Sequence, residues 1–407
     1  MNSEQSNPIT LGITHARPPH QSFGIHQSDR FFHQYVIGQT GTGKTTLLEN
    51  MIRQDTAAGQ GLCLIDPHGD LAEAVSQNTT DTAIIWDVAD PSSPYGYNPL
   101  THVAVAYRPL VASGLIETLK KQWSDAWGVR MEHLLRYALL ALLSYPHATL
   151  RDVIPLFLDK PFRSRVLATV TDEQVRHFWQ VEYTAMNFKT AVDGVAPIAN
   201  KLGAFLAHPL VRKAVCEPEQ PLRFRHLMDQ GTTLIVNLGK GRLGNDIANV
   251  VGGVIVSSIT HAAYTRQDTK EAARRPYFLY LDEFHTLTSD ILADMLSELR
   301  KYRVALVLAH QHTTQLSKEV LEAIIGNVGS LMVFRVGATD AGLLANQLAA
   351  DIPTPRDLVN LPNYRMFVKL MIEGRQSKPF SAKTIAPLMP RVSVAHLTDS
   401  KQHFERC

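Results

Sequence analysis

The feature that most constrains the fold of this chain is a glycine-rich loop at Gly38–Thr45, which reads GQTGTGKT. The apolar run Tyr35–Ile37 precedes this loop, and apolar residues recur at helical spacing from Leu47 to Ile52 after it. A loop of this pattern between a buried strand and a helix is a Walker A motif. The sequence therefore predicts a nucleotide-binding α/β fold.

The residue types of the loop suit ATP with Mg²⁺. Its glycines let several backbone amides point inward at phosphates, and the following helix presents its positive end to them. Lys44 adds a charge toward the β and γ phosphates, and the Thr45 hydroxyl is the predicted Mg²⁺ ligand. The predicted nucleotide-binding residues are Gly38, Thr40, Gly41, Thr42, Gly43, Lys44, Thr45 and Thr46.

Short apolar runs alternate with helical patterns along most of the chain. The runs span residues 34–37, 62–65, 83–86, 233–236, 277–281, 305–309 and 331–336. Apolar strands separated by helices predict an α/β fold with a parallel sheet that is covered on both faces.

Helical spacing dominates between residues 101 and 230, where apolar residues recur at three- and four-residue steps from Met131 to Leu142. We expect an inserted all-α domain that serves packing and assembly, with substrate contact as the alternative. The predicted division of the chain is an irregular N-terminal arm at 1–30, a core at 31–100 and 231–390, the insert at 101–230, and a polar tail at 391–407.

A second motif supplies carboxylates. The apolar run Phe278–Leu281 ends in Asp282 and Glu283, as a Walker B strand does. An isolated Asp-Glu pair is usually a helix cap, but the preceding strand and the Walker A loop favour catalysis here. Asp282 is the predicted partner in the second coordination sphere of Mg²⁺, and Glu283 is the predicted base that orients and deprotonates water.

A third strand, Ala305–Ala309, runs into Gln311. When such a strand lies between the Walker A and Walker B strands, a polar side chain at its end reaches the γ-phosphate. Gln311 is therefore a predicted sensor. The neighbouring His310 and His312 occupy alternate positions of an extended segment, which does not favour a metal site.

Arg300 precedes Gln311 by eleven residues. A strand of five or six residues spans roughly 17–20 Å, so Arg300 is expected near the opposite edge of the sheet, away from the ATP of its own chain. It is a candidate arginine finger acting in trans on a neighbouring subunit. A solvated helix end is the alternative, and Arg335 is the rival finger.

Composition says more about the location of the protein than about the reaction that it catalyses. The net charge of +2 neither requires nor opposes a polyanionic partner. Cys63, Cys216 and Cys407 lie far apart, as in a reducing compartment. The longest apolar stretches, 137–143 and 247–259, are interrupted and shorter than the roughly 20 residues of a spanning helix. With no signal-peptide pattern at the N-terminus, we expect a cytoplasmic protein without an integral membrane segment.

These motifs together resemble the FtsK/HerA superfamily of DNA-pumping ATPases, especially the conjugative coupling proteins of type IV secretion. The segment Asp66–Asp70, which reads DPHGD, is the most specific part of the resemblance. The other segments that carry it are His33–Thr46, Tyr97–Leu100, Leu234–Gly239, Tyr280–Phe284, Arg300–Gln311 and Asn327–Asp340.

The resemblance implies a RecA-like P-loop ATPase core that assembles as a hexamer, holds ATP between subunits and pulls double-stranded DNA through a central pore. By similarity, Arg300 occupies the position of the trans finger. Coupling proteins normally carry N-terminal membrane helices, so their absence here implies a soluble form and leaves delivery to a secretion channel open. Lys240 and Arg242 are candidate DNA contacts, with a solvated turn as the alternative.

Three functions are compatible with the sequence. The leading hypothesis is an Mg²⁺-dependent ATPase that translocates double-stranded DNA in conjugation, mobile-element transfer or DNA processing. A second is a type IV secretion ATPase that recruits a relaxase, a secretion-channel protein or a nucleoprotein without pumping DNA. A third is a small-molecule kinase, which the paired Asp282 and Glu283 and the lack of an evident lid disfavour.

Overall fold

An eleven-stranded sheet forms the centre of the protein in the computed structural model, which describes residues 8–15, 19–77, 79, 82–186, 188–288, 291–348 and 353–386. In this part of the chain the strands are β1 (Ile9–Thr14), β2 (Ser22–Ile25), β3 (Gln34–Ile37), β4 (Gly61–Asp66), β5 (Ile84–Asp87), β6 (Tyr95–Gly96), β7 (Gln220–Pro221), β8 (Thr233–Asn237), β9 (Tyr277–Leu281), β10 (Val304–His310), β11 (Ser330–Val333), β12 (Arg365–Lys369), β13 (Met371–Ile372), β14 (Arg375–Gln376) and β15 (Phe380–Lys383). The order of strands in the large sheet is β2-β1-β15-β12-β11-β3-β10-β9-β4-β8-β5.

Seven neighbouring strands, from β11 to β5 in that order, are parallel. They correspond to the seven apolar runs of the sequence, although the last one ends at Val333 because the next residues turn onto the Walker A loop. Alternate residues of the central strands enter two apolar clusters, one on each face of the sheet. The predicted parallel, doubly covered sheet is thus confirmed, and the carboxyl ends of its strands meet at one edge, called here the carboxyl edge.

Four antiparallel strands extend the sheet beyond β11, and the sequence did not predict them. Strand β12 pairs with β11, β15 with β12, β1 with β15, and β2 with β1. The expectation of an irregular arm at 1–30 is therefore wrong for residues 9–14 and 22–25. Reciprocal hydrogen bonds between the backbone of Thr10 and the side chain of Gln54, at 2.7 and 2.9 Å, hold β1 against the helix behind the Walker A loop.

The helices cover both faces of the sheet. Within the described residues they are α1 (Gln27–Arg30), α2 (Lys44–Ala57), α3 (Asp70–Ser76), α4 (Arg108–Gln122), α5 (Val129–Leu142), α6 (Val153–Leu158), α7 (Lys160–Leu167), α8 (Glu173–His177), α9 (Tyr183–Ala185), α10 (Phe188–Ala207), α11 (Pro209–Val215), α12 (Phe224–Gln230), α13 (Lys240–Leu243), α14 (Asn245–Tyr264), α15 (Ile291–Glu298), α16 (Lys318–Asn327), α17 (Ala338–Leu348) and α18 (Pro355–Val359).

The predicted insert is helical in its described residues apart from short strand β7, which pairs with β6. Its apolar residues belong to the same cluster as one face of the sheet. The insert joins the sheet through α4, which packs on α14. A Cβ atom on Gly253 of α14 would lie 2.7 Å from Cγ2 of Thr118 in α4, so the two helices are in close contact. The predicted tail at 391–407 lies outside the described residues.

Helix α14 lies in the core. The helical segment 245–268 is long and apolar enough to cross a membrane, but 78% of its most apolar window is buried inside the protein. The glycine and serine residues that interrupt the apolar run lie within one continuous helix. They allow close packing, because a Cβ atom on Gly252 would lie 2.5 Å from Cδ2 of Leu287.

Candidate nucleotide site

The Walker A loop lies at the carboxyl edge between β3 and α2, as predicted. Gly41 and Gly43 adopt φ angles of 74° and 118°, which side-chain-bearing residues rarely adopt. Gly38 is required for space instead, since a Cβ atom there would lie 2.5 Å from Cβ of Phe334. The Thr45 side chain is exposed at the start of α2.

Lys44 is buried within the loop that it follows. Its Nζ donates to the carbonyl oxygen of Gly38 at 2.5 Å and to that of Gln39 at 3.3 Å. Burial lowers the pKa of Lys44, and the nearby Glu283 and Asp282 oppose this shift. The ammonium group is thus close to both carboxylates that end β9.

Glu283 is held from two sides at the end of β9. Its Oε1 accepts a hydrogen bond from Nε2 of Gln311 at 2.8 Å, and its Oε2 lies 3.5 Å from Nδ1 of His285. Glu283 is buried, and its φ of 44° is unusual for a residue with a side chain. Such backbone strain clusters at functional sites.

Asp282 is surrounded by like charge. Burial raises its pKa to about 7, and Asp66 and Glu283 add to the shift, while Lys44 opposes it. The backbone amide of Glu283 donates to Oδ1 of Asp282 at 3.1 Å. A carboxyl with a pKa of about 7 is only partly ionised at neutral pH, and a cation nearby would favour its ionised form.

Gln311 connects the Walker A loop with the Walker B carboxylate. Strand β10 lies between β3 and β9, as the sensor prediction required. Oε1 of Gln311 accepts a hydrogen bond from Oγ1 of Thr40 at 2.9 Å, while its Nε2 donates to Glu283. The structure thus brings Thr40, Lys44, Asp282, Glu283 and Gln311 together.

The DPHGD segment forms the turn between β4 and α3. Asp66 is buried, and its carboxylate accepts from the backbone amides of His68 and Ala72, both at 2.9 Å. Gly69 has a φ of 100°, and a Cβ atom there would lie 2.7 Å from Oδ1 of Asn237. The turn places the Asp66 carboxylate where its charge adds to the rise in the pKa of Asp282. The sequence assigned no role to Asp66 or Asn237.

Arg335 and Tyr364 lie against the Walker A loop of their own chain. Nε of Arg335 donates to Oε1 of Gln39 at 3.4 Å, and its Nη1 donates to the carbonyl of Leu361 at 3.2 Å. The backbone amide of Tyr364 donates to the carbonyl of Thr42 at 2.7 Å. No signal in the sequence pointed to Tyr364, because its contact with the loop depends on the path of β12.

Arg300 lies at the other edge of the sheet, in the 3₁₀ turn Leu299–Tyr302 that precedes β10. Its guanidinium carbon is 3.8 Å from the centroid of the Phe32 ring, at the distance of a cation–π contact. Phe32 itself lies just before β3. The predicted separation of Arg300 from the nucleotide loop of its own chain is therefore present.

Lys240 and Arg242 form part of α13, which follows β8 at the carboxyl edge. Arg242 makes an ion pair with Asp87 at the end of β5. The backbone amide of Lys240 donates to the carbonyl of Pro67 at 3.0 Å. Lys240 is thus attached through its backbone to the turn that follows Asp66, whereas Arg242 is attached to the end of β5.

The chain is similar to a known protein family and to several solved structures. A family model described as "Type IV secretory system Conjugative DNA transfer" matches residues 5–340. No curated protein sequence matches the chain.

Solved structures show the same fold. The unbound bacterial conjugative coupling protein TrwB is 19% identical, with 90% of this chain and 89% of that chain covered and a TM-score of 0.64. TrwB in complex with ADP and Mg²⁺ is 18% identical at the same coverage, with a TM-score of 0.65. VirB4 of Thermoanaerobacter pseudethanolicus is 12% identical, with 95% and 98% covered and a TM-score of 0.65. The predicted fold class is therefore confirmed.

Proposed function

Because the chain belongs to the type IV secretory system conjugative DNA transfer family, we propose that it is an Mg²⁺-dependent ATPase that translocates double-stranded DNA as a hexameric ring. The observation that supports hydrolysis most directly is that Gln311 accepts a hydrogen bond from Thr40 and donates one to Glu283. One side chain thereby links the phosphate-binding loop to the proposed base. This arrangement suits a γ-phosphate and a water molecule between them.

The residues of the site fit ATP with Mg²⁺. The exposed Thr45 hydroxyl and the carboxylate of Asp282 are hard oxygen donors of the kind that Mg²⁺ prefers. The raised pKa of Asp282 is a second indication, because a buried carboxyl among like charges is stabilised as an anion by a cation. Mg²⁺, when bound, neutralises charge on the phosphate oxygens. TrwB has been solved with ADP and Mg²⁺ and with the ATP analogue ADPNP.

In the proposed reaction, Glu283 accepts a proton from the attacking water. Its carboxylate is buried, so little solvent competes for it, and Gln311 fixes its direction by donating from Nε2. With nucleotide bound, Lys44 would give up its hydrogen bonds to the carbonyl oxygens of Gly38 and Gln39 and donate to phosphate oxygens instead. Hydrogen bonds between oppositely charged groups are the stronger ones. Each of these residues holds a group in place or moves a proton, which is what phosphoryl transfer to water requires.

We propose Arg300, and not Arg335, as the finger that acts in trans. Arg335 is hydrogen-bonded to the Walker A loop of its own chain, which favours a role within that chain. Arg300 is exposed at the opposite edge of the sheet, where only a neighbouring subunit could bring a nucleotide to it. In mixtures of Arg300→Ala and Lys44→Ala chains, activity should reappear, because some interfaces then contain both intact residues. A mixture as inactive as its components would contradict a trans role.

Between the two candidate DNA contacts, we propose Lys240 as the stronger. Arg242 would have to leave Asp87 to contact a phosphate. Six converging copies of one lysine supply enough charge for counterion release, which explains how a chain of net charge +2 binds DNA. Lys240→Gln should therefore weaken DNA binding and flatten its dependence on salt more than Arg242→Gln does.

The test of the proposed function is ATP hydrolysis with and without duplex DNA, measured as released orthophosphate. We expect the rate to rise several-fold with DNA and to vanish in Lys44→Ala and Glu283→Gln. Particle mass with ATP and DNA present should show the hexamer. An assembled ring that DNA does not stimulate would contradict the motor, and phosphate transferred to a small molecule would indicate a kinase instead.

A recruiting ATPase is the second candidate, and a cavity favours it. A cavity of about 700 Å³ lies where the insert, including α12, meets α14, between Tyr97, Arg223 and His261. If this cavity receives a protein substrate, a relaxase or secretion-channel component should be retained by the chain in the absence of DNA. Filling the cavity with Ala262→Trp should abolish that retention and leave basal ATP hydrolysis unchanged. We propose a cytoplasmic location for either function.

A further inference from the structure

The turn that follows the Walker B carboxylates is held by the first long helix of the insert. Lys121, near the end of α4, donates from Nζ to the carbonyl of His285 at 2.6 Å and also to that of Thr288. Gln122 donates from Nε2 to the carbonyl of Thr286 at 3.3 Å. Two adjacent side chains of the insert thus bind three carbonyls directly behind Glu283.

These bonds complete the hydrogen bonding of the turn. Within it, the carbonyl of Glu283 accepts from the amide and the hydroxyl of Thr286, both at 3.0 Å, and the carbonyl of Phe284 accepts from the amides of Leu287 and Thr288, both at 3.0 Å. The carbonyls of His285, Thr286 and Thr288 accept from side chains of α4 instead. Buried backbone groups need such partners, so α4 is part of the local structure that fixes the turn.

Glu283 depends on this support because its backbone is strained. A left-handed conformation at a glutamate persists only where the surroundings determine it. Gln311 and His285 contact the carboxylate itself, whereas Lys121 and Gln122 hold the backbone that carries it. Burial lowers the pKa of His285, Glu283 opposes this shift, and the charge of Lys121 adds to it.

Helix α4 cannot move independently of the sheet. It packs closely on α14 at Thr118, about one turn before Lys121, and α14 in turn contacts the Walker B turn through Gly252 and Leu287. Helix α4 is therefore connected to the turn by two routes, directly through Lys121 and indirectly through α14. The route through Lys121 is the shorter one.

We propose that Lys121 is a positioning residue for Glu283, through which the insert sets the rate of ATP hydrolysis. The proposal rests on the proposed ATPase activity. Lys121 touches neither the nucleotide loop nor the carboxylate, and it acts by holding the turn in which Glu283 takes its direction. Loss of the hydrogen bonds from Lys121 should slow the chemical step. The affinity for nucleotide should stay the same, because the Walker A loop follows β3, whereas the turn that Lys121 holds follows β9.

The test compares Lys121→Met with Lys121→Arg and with Lys120→Met. Lys120 is the adjacent lysine, exposed and paired with Glu132 at 3.3 Å, so its loss should change little. For Lys121→Met we expect kcat to fall about tenfold or more, since small misplacements of catalytic groups are costly, with an unchanged Kd for labelled ATP. Lys121→Arg should keep most of the wild-type kcat. An unchanged kcat, or a Kd that deteriorates in parallel, would overturn the proposal.

Hydrogen exchange separates this proposal from the proposed function. In Lys121→Met, the amides of residues 284–288 should exchange faster, while those of α2 should not. This readout needs no activity, so it decides the role of Lys121 even if the wild-type chain hydrolyses no ATP. If Lys121→Met does not fold, Gln122→Ala removes one of the three bonds and should give a smaller change of the same kind; unchanged exchange in both would refute the role.

Discussion

At the scale of single residues, Gln311 shows how much of the site depends on one side chain. A carboxylate only accepts hydrogen bonds, so the amide nitrogen of Gln311 must face Glu283, and its oxygen is left for the hydroxyl of Thr40. The orientation of the amide is therefore fixed by its partners. Loss of either partner would let the group rotate.

Replacing Gln311 by Glu should impair hydrolysis more than replacing it by Ala. In Gln311→Glu a second carboxylate faces Glu283, which raises the pKa of the pair, so that less of Glu283 is ionised and able to accept a proton. We expect kcat to fall about a hundredfold or more, within the usual contribution of general base catalysis, and the loss to be partly reversed at higher pH. Gln311→Ala should show no such recovery. Steady-state rates between pH 6 and pH 9, with ATP affinity measured separately, would decide this.

Prediction from sequence was effective for residues whose role follows from chain-local patterns. Glu283 and Gln311 each follow closely after a recognisable strand, and Lys44 follows the glycine-rich loop after β3, so the fold brings them to one edge. Lys121 could not be found in this way, because 164 positions separate it from the carbonyl of His285. Its contact depends on the packing of α4 on α14, which no local pattern specifies.

At the scale of structural elements, the parallel strands were predictable and the antiparallel ones were not. Strands β9 and β10 are buried along their entire length and appear as continuous apolar runs. Strands β2 and β15 are short and keep polar or glycine residues, and β15 is bound to the N-terminal strands only through β1, far along the chain. Such short strands lack the pattern on which a prediction depends.

The start of α3 offers a matched test of backbone fit. Gly69 and Gly59 both have positive φ, at 100° and 67°, but a Cβ atom would meet Asn237 at the former position and nothing within 4 Å at the latter. Gly59→Ala should cost about 1–2 kcal/mol from backbone strain. Gly69→Ala should cost about 1–3 kcal/mol more from overpacking. Equal losses of unfolding free energy in urea titrations would show that the contact with Asn237 is relieved at no cost.

At the scale of the whole molecule, buried histidines link stability to pH. Burial lowers the pKa of His33 and of His261 to about 4, and that of His310 to about 3. The unfolded chain binds these protons near pH 6.5, whereas the folded chain binds them only at much lower pH. Stability is therefore fully present above pH 6.5 and is lost as the pH falls toward 4.

Each of these histidines should contribute a loss of about 1.4 kcal/mol per pH unit in that range. The variant His33→Asn keeps a residue that tolerates the left-handed backbone found there, with φ of 62°. It should be less stable than the wild type at pH 7 but should lose less stability between pH 6.5 and pH 5. Unfolding free energies at several pH values would check this, and parallel curves for the two proteins would exclude a role for His33.

Strand β10 has Arg300 before its first residue and Gln311 after its last. Its seven residues extend about 23 Å at the usual rise, and all of them are buried, so the strand is rigid. In the proposed ring, one strand would sense the γ-phosphate of its own subunit at one end and of the adjacent subunit at the other. Hydrolysis would then proceed around the ring in order, and a few Glu283→Gln chains mixed into it would stop many more sites than they occupy.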